Sequence, residues 1–119
     1  MNSLFLIHVL HILFVGPLFL YVGIYGSAIV PAMYPFLLIL GIFIIAYHSF
    51  LAYQGFTKGT SIWVNLFHMI VVGPLLVYIG YKNKKTPYSA YQFMLMLAFA
   101  VIGYHGYYLL KNVNKKTEK

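Results

Sequence analysis

The sequence predicts an all-α membrane protein with four transmembrane helices, built as a tandem repeat of two helical hairpins (offset 57) with pseudo-twofold symmetry along the membrane normal. Three observations carry this expectation. The 119 residues are 62% hydrophobic and only 8% charged, whereas soluble domains are about 45–50% apolar and about 25% charged. Four apolar runs, residues 4–25, 35–54, 61–81 and 90–110, contain no Lys, Arg, Asp or Glu, and each is close to the ~20 residues that cross a bilayer. Shifting the chain by 57 residues superposes its two halves without a gap.

The first run, residues 4–25, lacks the charged start of a secretory signal and is longer than its apolar core, so it is expected to remain as a span. A connection rich in small residues and proline follows, from Gly26-Ser27-Ala28 to Pro31 and Pro35. The second run ends in Gln54-Gly55-Phe56-Thr57-Lys58-Gly59-Thr60 and the third in Lys82-Asn83-Lys84-Lys85-Thr86-Pro87, both turns by residue chemistry. The fourth gives way to a polar, lysine-rich tail over 113–119, expected to fray into water. With four spans, five lysines lie on the side of the termini and three in the third loop, which favours cytoplasmic termini. The lipid bilayer is the expected partner, with a homo-oligomer as a further possibility because four helices barely enclose a site.

Composition removes several classes. The net charge of +7 comes from lysines in connections and the tail, with Glu118 as the one acid, so no basic face for nucleic acid is present. There is no cysteine for a disulfide or a thiolate ligand. No span holds a carboxylate, which excludes carboxylate-bridged di-iron sites, acid proton relays and paired-carboxylate hydrolysis. Walker, HExxH and GxSxG motifs are missing.

The repeat is carried by chemistry as well as hydropathy. Residues 1–57 and 58–112 form the two expected hairpins, and 14 of the 52 positions aligned from Leu4 to Gly55 are identical. His11, Gly16, Pro17, Tyr21 and Gly23 fall on His68, Gly73, Pro74, Tyr78 and Gly80, and Tyr34, Tyr47 and His48 fall on Tyr91, Tyr104 and His105. Apolar composition alone would match Leu, Ile and Val, not histidines and a Gly-Pro pair.

The repeat also places the candidate site. His11 stands about 10 Å into its helix and His48 about 9 Å from the end of the next, counted from the same membrane face. Together with His68 and His105 they are expected to form one intramembrane layer. Ionisable groups inside a bilayer are costly and point to function. His8 and Asn65 lie three residues before His11 and His68, on the same helix faces, where they can hydrogen-bond a ring nitrogen. Tyr47 and Tyr104 adjoin the second-helix histidines. Small residues flank these histidines (Ala46 and Ser49; Gly103 and Gly106) and recur at Gly41 and Ala98, where they either let helices approach or make room for a macrocycle. The pairs Gly16-Pro17 and Gly73-Pro74 are expected to kink each first helix just beyond its histidine.

Imidazole suits Cu, Zn, Fe and Ni, and two histidines on opposed helices are the usual axial pair of a b-type haem. The leading expectation is therefore a small cofactor-binding membrane protein in which His11, His48, His68 and His105 hold haem, another tetrapyrrole, or a metal ion such as Cu or Zn, for electron transfer or sensing. A histidine-gated proton or ion channel is the second expectation. A scaffold or assembly protein without a cofactor is the third, and catalysis is not expected.

Overall fold

A computed structural model describes residues 3–117, with side-chain surroundings described as far as residue 114. Four helices organise it: α1 (Ser3–Ala28), α2 (Met33–Lys58), α3 (Trp63–Lys85) and α4 (Tyr88–Asn114), the last continuing to Thr117. Each is long and apolar enough to cross a membrane. No strand occurs among the described residues. This is the architecture of a multi-pass integral membrane protein.

The helices overrun the apolar stretches at several ends, and local chemistry explains where they stop. Pro35 lies inside the first turn of α2 rather than in the connection, because the first four N–H groups of a helix have no partner and a residue without one is tolerated there. Gln54 to Lys58 are helical instead of forming a turn. Gly59 ends α2 at φ 73° and donates its N–H to the carbonyls of Gly55 and Phe56, the left-handed cap that glycine provides at no steric cost. The tail expected to fray is helical through Thr117. From Tyr107 onward neither Gly nor Pro interrupts it, and lysine is both a good helix former and favourable near a helix C-terminus. Glu118 and Lys119 lie outside the described residues.

The chain packs as two compact units, one of Met1–Gly26 with Tyr91–Lys119, the other of Ser27–Ala90. In packing terms α1 is grouped with α4, and α2 with α3.

In the first unit Phe19, Val22, Met94 and Ala98 are fully buried, and Gly23 brings the helices into backbone contact. A Cβ there would lie 2.7 Å from Cβ of Leu95 and 2.8 Å from its backbone. In the second unit Tyr34, Leu37, Leu76 and Ile79 are fully buried, and Gly80 has the corresponding role, since a Cβ there would lie 2.6 Å from the Leu38 nitrogen and 2.7 Å from the Tyr34 carbonyl oxygen. Leu13, Ile39, Ile70 and Phe99 remain 64–72% exposed, which suits side chains whose surroundings are lipid tails. Between apolar helices in lipid, close backbone approach through small residues supplies the van der Waals contact that hydrophobic burial supplies in water.

Gly80→Leu and Gly23→Leu are each expected to force their helix pair apart and to cost about 1–3 kcal/mol, as overpacking does. Thermal unfolding of the detergent-solubilised variants, followed by circular dichroism, checks this. An unchanged midpoint for both would show that these contacts contribute nothing to stability.

Candidate functional site

Two of the four helices are interrupted at a histidine by a π-helical turn, His11–Val15 in α1 and His68–Val72 in α3. Gly16 donates its N–H to the His11 carbonyl, and Gly73 does the same to His68, five residues back in both cases. The expected proline disturbance thus takes the form of one extra residue absorbed just before each Gly-Pro pair.

The extra residue decides where the imidazoles lie. In an uninterrupted α-helix His11 would stand about 140° around the axis from Gly16, at about 100° per residue. A turn that absorbs one more residue reduces this to about 40°. Gly16 faces α4, since a Cβ there would lie 2.7 Å from Ile102 Cγ1, and Gly73 faces α2, where a Cβ would press on the same atom of Ile45. The π turn therefore brings His11 and His68 onto the packed faces of their helices.

In the first unit His11 stacks on His105 with centroids 4.1 Å apart and planes inclined by 19°. His8 and His105 share a hydrogen bond between their Nδ1 atoms at 2.9 Å, one ring supplying the N–H and the other its lone pair. Both are buried. In the second unit His48 stacks on His68 at 4.1 Å and 13°, and His48 Nδ1 donates to Asn65 Oδ1 at 2.9 Å. The first-helix rings are oriented by their own helices. His11 Nδ1 donates to the Ile7 carbonyl and His68 Nδ1 to the Val64 carbonyl, each at 2.7 Å. A carbonyl oxygen only accepts, so in the neutral ring Nδ1 carries the proton and Nε2 the lone pair.

The four ring histidines thus occur as two pairs, one in each unit. Among the described residues no group of three or more His, Cys, Asp or Glu side chains is arranged to hold a metal ion. The flanking small residues divide by role. Gly41 is filled by packing, with a Cβ there 2.8 Å from the Gly73 carbonyl oxygen, and Ala98 is fully buried. Ser49 bonds the Ile45 carbonyl at 2.6 Å, and Ala46 is exposed. A Cβ at Gly103 or Gly106 would meet nothing within 4 Å, but Gly103 stands about 160° around α4 from His105.

Tyr47 and Tyr104 lie edge-on to their neighbouring histidines, at 5.4 and 5.2 Å. Tyr108, whose place near a helix end reads as an interface anchor, stacks on His8 at 6.1 Å and carries Lys111 Nζ 5.8 Å from its ring centre. Its spacing of three from His105 was the available signal, because such residues share a helix face.

No protein family, curated protein or solved structure matches this chain.

Removing the acceptor in Asn65→Leu is expected to weaken the α2–α3 pair by about 0.6 kcal/mol, and by no more than about 1.7, the range for hydrogen bonds between membrane helices. A double-mutant cycle with His48→Phe isolates this value, and a coupling of zero would mean that the bond does not hold the helices together.

Proposed function

We propose that the chain is a small integral membrane protein whose paired intramembrane histidines bind a metal ion or a tetrapyrrole, for electron transfer or sensing. The orientation of the rings carries this reading. His11, His48 and His68 each spend Nδ1–H on an oxygen atom, which is how ligating histidines are held with Nε2 presented to a metal. His11 with His105, and His48 with His68, are the rings that would hold the iron of a b-type haem, which supplies one-electron chemistry when bound. A small ion such as Cu or Zn would use the same imidazoles.

The finer architecture belongs to the same proposal. The chain is a tandem repeat with a pseudo-twofold axis along the membrane normal, both termini being cytoplasmic. Its support is that contacts in the two units correspond at an offset of 57. Gly23 on Leu95 answers to Gly80 on Leu38, Gly16 on Ile102 to Gly73 on Ile45, and His11 on His105 to His68 on His48.

A second reading, proton relay, is favoured by one observation in the first unit. The bond between His8 and His105 joins two imidazoles, one ring donating its proton to the lone pair of the other.

The test is elemental analysis of protein purified in mild detergent, with absorption spectra of the oxidised and dithionite-reduced sample. Stoichiometric metal, or a Soret band, that is lost in the His11→Ala, His68→Ala double variant is the expected result. Colourless, metal-free protein that takes up neither haem nor Cu nor Zn overturns ligand binding. Proton flux into liposomes, abolished by His8→Leu, would then establish the relay, and absence of flux would leave the histidines as helix staples.

A further inference from the structure

Three of the eight lysines, Lys82, Lys84 and Lys85, fall within four residues where α3 ends, and all three are exposed. Their charge has no partner among the described residues, because the one acid of the chain is Glu118. A lysine at a helix C-terminus is explained by the exposed carbonyls there, which accounts for Lys82 but not for the other two.

The turn that carries them is braced. Asn83 takes the left-handed conformation at φ 57° and accepts the Lys84 N–H on its side-chain oxygen at 2.8 Å. Thr86 is buried and its hydroxyl bonds the Asn83 carbonyl at 2.6 Å and the Ile79 carbonyl at 3.2 Å, while its N–H bonds the Asn83 carbonyl at 3.1 Å. Tyr81 and Tyr88, on either side, are 76% and 75% exposed. Tyrosines at the ends of membrane helices sit at headgroup level, so the ammonium groups between them stand among lipid phosphates.

We propose that the turn from Lys82 to Thr86 is a binding site for the phosphate-bearing headgroups of an anionic lipid surface. Clustered lysines beside a membrane helix are attracted to such a surface over about a Debye length. The bracing adds to this by fixing the backbone that presents them, so that ordering the turn is not charged against binding.

The full chain, reconstituted in phosphatidylcholine bilayers, tests the site through electron spin resonance of spin-labelled phosphatidylglycerol and phosphatidylcholine. At about 50 mM salt the wild type is expected to prefer the anionic label several-fold, the preference shrinking toward one at about 0.5 M as screening grows. K82Q/K84Q/K85Q is expected to lose the preference. The triple Lys→Arg variant and K58Q, whose lysine lies at the other end of the second unit, are expected to keep it. No preference in the wild type, or one that survives the triple glutamine variant, overturns the assignment. So does a preference abolished when inorganic phosphate replaces chloride at equal ionic strength, which would mark a site for soluble phosphate.

Discussion

Within a bilayer there is no water to bond a buried polar group, so whatever polarity the helices carry must be answered by the protein itself. That constraint shapes the histidine clusters more than any other. No buried side-chain nitrogen or oxygen among the described residues lacks a hydrogen-bond partner. The requirement is met along each first helix, by the carbonyl four residues back, and across to its packing partner, by His8 on His105 and Asn65 on His48. In each stack one ring is held along its own helix and the other across to the neighbouring one, so both are fixed before any ligand is considered.

The glycine contacts set the distance at which these bonds form. Where Gly23 and Gly80 let one backbone rest on another, an imidazole from one helix reaches the ring of its partner within van der Waals range. Bulkier residues there would hold the helices farther apart and leave the rings outside stacking distance.

Much of this was legible in the sequence. The spans follow from the length and uncharged character of the apolar runs, and the importance of the histidines and Gly-Pro pairs from their recurrence at a fixed offset. What was not legible was the choice of packing partner. Leu, Ile, Val and Phe face lipid and protein alike in a membrane helix, so nothing marks α4 as the neighbour of α1. The π turns were hidden for a different reason. Proline announces a missing donor, but not whether the backbone answers by bending or by absorbing an extra residue. The tail misled because lysine and asparagine read as solvent-exposed, which is a statement about polarity and not about helicity.

The surplus residue in each π turn uncouples chain length from azimuth at that point. Losing one residue between His11 and Gly16 would close the π turn into an ordinary α-helical one and keep His11 at about 40° from Gly16. Losing one just beyond Pro17, where no residue is surplus, would shorten α1 by about 1.5 Å, a change the bilayer absorbs easily, yet would swing everything from Ser3 to Pro17 by about 100° about the helix axis. For these helices depth in the membrane is forgiving and angular phase is not. A single-codon deletion beyond Pro17 acts as a rotation, carrying His8 and His11 together away from His105, while the hydropathy profile by which the chain enters the membrane stays almost unchanged.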